Sequence, residues 1–254
     1  MSNDKLIEKN RYDDRAIDIL KENTLPPNIF GSSAIPLIYR TPYLYYEKLI
    51  RTLIKPNCKV LEIGAGTGLH TKSLLKTGAH VTATDISPNA LNVLEMRYAN
   101  IRSSNNLKTI TADIEELPFE KGYFDVVICA GSLSYGEKHK VDNEIRRVLG
   151  SFGNYICVDS LNNNPIYRVN RYIKYLCNKR SKMTILNMPT IKRLNSLKSL
   201  YNSVDIKYFG CISYLMPILS KILNVKKAAS LSDAADNILS VKRSAFKFVI
   251  CAQT

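Results

Sequence analysis

The sequence predicts an α/β protein with a doubly wound, mostly parallel sheet, and three stretches carry that prediction. The first is Val60-Leu61-Glu62-Ile63-Gly64-Ala65-Gly66-Thr67-Gly68, where apolar residues run into a turn with glycine at every second position. A helix can begin near Leu69, so the segment reads as strand, glycine turn and helix. The second is Val81-Thr82-Ala83-Thr84-Asp85, a strand that ends in an acid and leads into Ser87-Pro88-Asn89-Ala90. Ser87 reads as a helix cap and Pro88 as the first helical residue. The third is Phe124-Asp125-Val126-Val127-Ile128-Cys129-Ala130, nearly all apolar, as a parallel strand covered on both faces requires.

The other elements follow in order. Tyr12-Asp13-Asp14-Arg15-Ala16 reads as a short helix, and Pro26, Pro27, Pro36 and Pro42 mark an irregular stretch after it. Tyr39, Tyr43, Tyr45 and Tyr46 cluster around the start of a helix over 45–54. Tyr46 is expected to pack that helix onto the sheet, since aromatics at helical spacing are usually core. Thr109-Ile110-Thr111-Ala112-Asp113-Ile114 is a short strand ending in an acid. Glu144-Ile145-Arg146-Arg147-Val148-Leu149 belongs to a helix ahead of a fifth strand, Asn154-Tyr155-Ile156-Cys157-Val158-Asp159.

Glycines in a strand-to-helix turn let the backbone approach a ligand and adopt φ values that other residues avoid. Such βα units cradle adenosine-containing cofactors. A dinucleotide fingerprint wants glycines at the first, third and sixth positions, so that a helix N-terminus meets a pyrophosphate. Counted from Gly64, the sixth position is Leu69, and the third glycine comes one residue early at Gly68. Asp85 follows Gly68 by 17 residues, where a carboxylate accepts both ribose hydroxyls.

The pattern Glu62-x-Gly64-x-Gly66-x-Gly68, then Asp85, then Asp113-Ile114, then the apolar fourth strand, resembles the class I S-adenosylmethionine-dependent methyltransferases over residues 58–160. Leu117-Pro118-Phe119 and Arg146-Arg147-Val148-Leu149-Gly150 resemble the branch that includes ubiquinone/menaquinone-type and sugar methyltransferases. The chain departs from that branch at Ser151-Phe152-Gly153, where Gly-Gly usually stands. The resemblance implies a Rossmann-like sheet of seven strands with an antiparallel last strand. On that pattern residues 190–201 form a helix, 204–209 strand six and 245–252 strand seven. It implies S-adenosyl-L-methionine as cofactor. Glu62, Gly64, Ala65, Gly66 and Gly68 would surround its methionine part, and Asp85 and Ile86 would meet the ribose. Asp113 would receive the adenine amino group, Ile114 would cover the ring, and Ala130 would complete the wall. His70 would help the cofactor carboxylate or cap its helix. Residues 1–57 would form a lid, with Tyr12, Tyr39 and Tyr43 facing the substrate, and 161–254 would complete the sheet.

Methyl transfer is an in-line displacement, so the protein mainly holds two reactants aligned and dry. A hydroxyl nucleophile gains from a nearby general base. His139, shortly after strand four, is the leading candidate because imidazole titrates near neutrality, although a plain helix start is the alternative. Tyr135 and Asp159 compete for that role. Strand four is followed by neither Asn/Asp-Pro-Pro-Tyr nor Pro-Cys, so nucleic acid is not the expected substrate.

Charge divides the chain. Residues 1–159 hold 20 Lys/Arg against 19 Asp/Glu, whereas 160–254 hold 16 against three. A positive field of this kind draws phosphorylated molecules, nucleic acid or anionic lipid, or else is merely a solvated surface. The basic part contains two apolar-striped insertions that should cap the sheet's C-terminal edge. In 161–188, Ile166, Val169, Ile173 and Leu176 form the stripe, with Arg168, Arg171 and Lys174 off it as an expected phosphate clamp. In 210–242, Ile212, Leu215, Met216, Leu219, Ile222 and Leu223 form another, ahead of Lys226 and Lys227, with Pro217 starting or kinking the helix.

The expected acceptor is therefore a small anionic molecule bearing a hydroxyl or amino group, such as a sugar nucleotide or lipid-linked saccharide. A quinone precursor, RNA, or a catalytically inactive cofactor-fold protein are the alternatives, and the basic helices offer a peripheral membrane contact. The six cysteines include no Cys-x-x-Cys pair, which implies free thiols in a reducing compartment and no zinc site. With no secretory signal and no apolar run near the ~20 residues a spanning helix needs, a cytoplasmic protein is expected.

Overall fold

The computed structural model describes residues 3–22, 30–99, 106–177, 180–239 and 242–254, so Pro26 and Pro27 lie outside the described residues. Its centre is one sheet made of β1 (Lys59–Ile63), β2 (His80–Asp85), β3 (Leu107–Thr111), β4 (Phe124–Ala130), β5 (Leu149–Ser160), β6 (Ser203–Phe209) and β7 (Lys247–Gln253). The strand order is β3-β2-β1-β4-β5-β7-β6. All pairs up to β4–β5 are parallel, and β7 runs antiparallel between β5 and β6. The seven-stranded, mostly parallel sheet with an antiparallel last strand is the expected fold.

Side-chain alternation explains why the central strands are so apolar. Leu61, Ile63, Val127, Cys129, Cys157 and Ile250 bury one face. Val60, Val126, Ile128, Ile156, Val158 and Val249 bury the other. A strand covered on both sides needs apolar residues at both phases of its two-residue period. All six cysteines are unpaired, Cys129 and Cys157 within these strands. The helix α2 (Thr41–Leu53) covers one face with a fully buried Tyr46.

The N-terminal helix is longer than its sequence suggests. It runs as α1 over Asn3–Glu22 and packs on α4 (Pro88–Arg97), α3 being the short helix Thr71–Leu75. The apolar contact of α1 is small, Ala16 with Ile19 and Leu20 beside it packing on Ala90 and Val93 of α4. Polar contacts hold the rest of the helix. Lys5 Nζ lies 2.5 Å from Asp113 Oδ2 and 2.8 Å from Glu115 Oε2. Asp13 accepts from the Ser87 hydroxyl, and Glu8 accepts the Ser181 N–H at 3.0 Å. Ser87 also caps α4 by accepting the Ala90 N–H, with Pro88 in the first turn, as expected.

Beyond α5 (Lys138–Val148) and β5, the chain forms α6 (Pro165–Leu176), α7 (Lys182–Leu186), α8 (Ile191–Ser196), α9 (Met216–Ile222) and α10 (Val225–Leu239). Pro217 stands in the first turn of α9 and starts it. An apolar stripe on such a cap is expected to pack on the core, and the rotation of α6 places it the other way. Ile166, Val169, Ile173 and Leu176 face outward, 53, 60, 52 and 62% exposed, while Tyr167 and Arg171 are buried. Arg171 donates to the Leu161 carbonyl (2.8 Å) and Asn162 Oδ1 (2.9 Å), and the Tyr167 hydroxyl is hydrogen-bonded to Ser213. These two anchored side chains fix the helix about its axis.

Arg193 on α8 locks the same end. Its Nε and Nη2 reach both oxygens of buried Asp142 at 3.1 and 2.8 Å, and its Nη1 donates to the Leu133 and Asn187 carbonyls at 3.0 Å each. Removing one partner strands a buried charge. We expect Arg193→Ala to cost about 3–5 kcal/mol in chemical denaturation, and a loss below about 1 kcal/mol would contradict this reading.

Glu62 and His70 lie buried beside the glycine turn. The Glu62 carboxyl accepts from the Thr71 hydroxyl at 2.6 Å, and burial pushes its pKa up to about 8. His70 stacks on Tyr43 and meets Tyr46 edge-on, and burial, aided by Lys247, pushes it down to about 4. Folded Glu62 keeps a proton that the unfolded chain releases above 4.5, so stability falls as pH rises toward 8. Folded His70 stays neutral where the unfolded residue charges, which opposes that fall only below 6.5. Between 6.5 and 8 the wild type should therefore lose on the order of 2 kcal/mol, while Glu62→Gln should lose far less across the same window. Equal slopes in urea denaturation would show that Glu62 ionises normally.

Candidate functional site

Placing β1 between β2 and β4 opens a crevice at the carboxyl ends of these strands, where open α/β sheets bind ligands. A cleft of about 850 Å³ occupies it. Gly64 and Gly66 line it from the turn after β1, and Asp85 and Ile86 from the end of β2. Asp113 and Ile114 come from the turn after β3, and Ala130, Gly131, Ser132 and Tyr135 from beyond β4. Lys5, Glu8 and Tyr12 of α1 close the remaining side. The sequence expectation named seven of these for the cofactor, and the structure brings all seven together: Gly64, Gly66, Asp85, Ile86, Asp113, Ile114 and Ala130.

Local bonds fix the shape. Gly66 has φ +53°, and a Cβ built there would meet nothing within 4 Å, so the turn faces open cleft. Its N–H donates to Asp85 Oδ2 at 2.8 Å, while Asp85 Oδ1 accepts the Ser87 N–H at 2.9 Å. Burial raises the pKa of Asp85 against the pull of these bonds. Asp113 Oδ1 accepts the Glu115 N–H at 2.9 Å, and its Oδ2 holds Lys5. Tyr12 and Tyr135 join hydroxyl to hydroxyl with rings edge-on at 5.6 Å. Burial, then Tyr12 itself, pushes Tyr135 far up, so it stays a neutral phenol that bonds hydrogen without serving as a phenolate base.

Other expected site residues stand elsewhere. Glu62 is turned to Thr71 behind the turn, and Ala65 packs into the apolar face of the sheet. Gly68, with φ +80°, packs against α4, where an added Cβ would lie 2.8 Å from Leu94 and Tyr98. These three shape the turn from behind and do not line the cleft. His139 is exposed on the first turn of α5, because the Glu137 side chain caps that helix and residue 139 points outward. Asp159 is buried, with Oδ2 accepting the Leu133 N–H at 3.0 Å and Oδ1 the Ser160 N–H at 2.6 Å, so it anchors the loop after β4. Neither is placed as a base in the cleft. His70 neither lines the cleft nor caps α3 through its ring. Tyr43 lies outside the cleft, stacked on His70 with Lys247 5.0 Å above its ring.

A second cavity of about 870 Å³ lies between α6, α9 and the strand ends of β5 and β7. Tyr39, Ser160, Tyr167, Ser213 and Phe246 line it together with three cations, Arg171, Lys174 and Arg180, and no acidic residue. Burial, reinforced by Arg180, pushes Arg171 down to about 10. Val158 pairs with Ala130 of the first cleft, and Ser160 is two residues further along β5, so the two cavities open at neighbouring strand ends. Arg168 misses this cavity and faces the groove on the other side of α6, with Val169, Tyr172 and Leu186. Sequence reasoning passed over Lys5, Glu8 and Arg180. The i, i+3, i+7 spacing of Lys5, Glu8 and Tyr12 was the available signal.

A family profile described as "Methyltransferase domain" matches residues 60–153. The demethylmenaquinone methyltransferase of Clavibacter sepedonicus is 31% identical over 142 residues, covering 54% of this chain and 56% of that protein. The chain spans about half the length, or less, of the curated relatives it matches. The geranyl diphosphate C-methyltransferase of Streptomyces coelicolor A3(2), solved with geranyl diphosphate and S-adenosyl-L-homocysteine, superposes with TM-score 0.56 at 17% identity. That match covers 83% of this chain and 78% of the other. The cyclase SpnF superposes with TM-score 0.61 at 15% identity, covering 97% and 94%. These likenesses show a shared fold, and a fold hosts more than one chemistry. By the matched profile, the order of its motifs and the order of its strands, residues 60–153 form a methyltransferase domain similar to those of the class I S-adenosylmethionine-dependent methyltransferases.

Proposed function

We propose that this chain transfers a methyl group from S-adenosylmethionine to a small anionic acceptor bearing a hydroxyl or amino group, such as a sugar nucleotide or a lipid-linked saccharide. The residues present fit the cofactor. The open face of Gly66 leaves room for the methionine part, with Gly64 and Ala130 beside it. Asp85 has lone pairs left for the ribose hydroxyls, and Ile86 and Ile114 flank the adenine position. Asp113 Oδ2 already accepts Lys5, so an adenine amino group would compete with Lys5 there. When bound, S-adenosylmethionine supplies an electrophilic sulfonium methyl that needs no activation by the protein.

The chain's own contribution is alignment and exclusion of water. The helix α1 covers the cleft, and the Tyr12–Tyr135 pair offers hydroxyls to an acceptor at its wall. With His139 outside and Asp159 bonded to backbone, this reading assigns no residue to proton abstraction. The observation that carries the acceptor class is the cavity next to the cleft, lined by Arg171, Lys174 and Arg180 without an acid. Cations so placed form charge-assisted bonds to phosphate or carboxylate. A quinone precursor is the second reading, favoured by the 31% identity to a demethylmenaquinone methyltransferase.

Transfer of a labelled methyl group to a panel of phosphorylated and carboxylated small molecules tests the proposal. Arg171 also supports α6, so the informative change is Lys174→Gln with Arg180→Gln. It should raise the acceptor KM at least tenfold, the scale of one lost charged bond, and leave cofactor affinity unaltered. Transfer to RNA or to a quinone precursor alone, with no anionic small molecule turned over, would refute it.

A further inference from the structure

The stripe that α6 turns outward is not isolated. Tyr172, also exposed, extends it, and Leu186 of α7 lies across the adjoining groove. On the neighbouring α9, Ile218 and Ile222 are 60 and 74% exposed, followed by exposed Val225. The Tyr167–Ser213 bond and the cavity shared by Ile166 and Pro217 set α6 beside α9. No described residue covers these apolar faces. Exposed cations border them: Arg168 and Lys174 on α6, Lys221 on α9, and Lys226 and Lys227 at the start of α10. Asp205, on β6, is the sole acidic residue between positions 160 and 232.

Two amphipathic helices with their apolar sides to solvent, bordered by cations and carrying no acid of their own, match the chemistry of an anionic bilayer surface. A second copy of the chain would set the same cations against each other, so self-association is the poorer partner. No described helix is long and apolar enough to cross a membrane, which leaves attachment in the interfacial plane. We propose that α6 and α9 dock this chain on anionic lipid, with Ile166, Val169, Ile173, Leu176, Ile218 and Ile222 entering the acyl boundary. This docking is independent of which acceptor the basic cavity takes, and it would present that cavity to the lipid surface.

Co-sedimentation of the full chain with vesicles of phosphatidylglycerol and phosphatidylcholine, against phosphatidylcholine alone, tests it without cofactor or acceptor. Binding should require phosphatidylglycerol and weaken with salt. Ile173→Asn with Ile222→Asn removes only exposed apolar groups and should reduce partitioning at least tenfold. Changing Lys221, Lys226 and Lys227 to Gln should reduce it roughly 100-fold. The chain has no tryptophan, so Tyr172→Trp gives a background-free fluorophore whose emission should shift to the blue on vesicles. Absence of binding to anionic vesicles, or binding indifferent to these changes, overturns the proposal. A dimer in sedimentation analysis that Ile173→Asn with Ile222→Asn abolishes would overturn it as well, by making this face a self-interface. None of these outcomes bears on cofactor titration or on methyl transfer to a soluble acceptor.

Discussion

The bond from the Gly66 N–H to Asp85 holds the turn after β1 against the end of β2, and the cleft takes its form from that pairing. A second bond, from the Ala65 N–H to the Thr84 carbonyl at 2.9 Å, sets the adjacent residue in the same register. Together they keep the turn folded back, so that Gly66 fronts open space while Glu62, Ala65 and Gly68 lie behind it. A half-buried carboxylate is costly unless donors meet it, and here two backbone N–H groups do so from either side. The acid that would receive ribose thus first serves the protein's own backbone.

Parallel strands buried on both faces cannot be polar, so β1, β4 and β5 stood out as continuous apolar runs, and Asp85 and Asp113 as acids at or just beyond strand ends. Those features depend on local spacing, which the sequence displays directly. Others depend on partners distant in the chain. The polar helix α1 is held by Asp113, Ser87 and Ser181, none of which a helical period can reveal. His139 has the right chemistry, but the Glu137 cap decides where it points. The apolar stripe of α6 was visible, yet its direction was fixed by Arg171 and Tyr167 bonding to Leu161, Asn162 and Ser213. Periodicity shows that a helix has two faces and not which face the protein buries.

The charge division follows the same plan. The near-neutral first 159 residues contain the four strands around the cleft and the acids that line it. The basic remainder adds β6 and β7 to the sheet, then supplies the cations of the second cavity and of the exposed helices. Arg193 and Arg171 put charge to structural use, the first on Asp142 and two carbonyls, the second on the Leu161 carbonyl and Asn162. A single sheet therefore joins a cofactor crevice to a cationic flank at adjacent strand ends.

Calorimetric titration with S-adenosylmethionine and, separately, with NAD tests which cofactor the crevice takes. Saturable binding of S-adenosylmethionine is expected, with no binding of NAD and a loss of about tenfold to 100-fold in affinity for Asp85→Ala, the scale of charged hydrogen bonds. Binding of NAD in preference, or S-adenosylmethionine binding that Asp85→Ala leaves unchanged, would contradict this expectation.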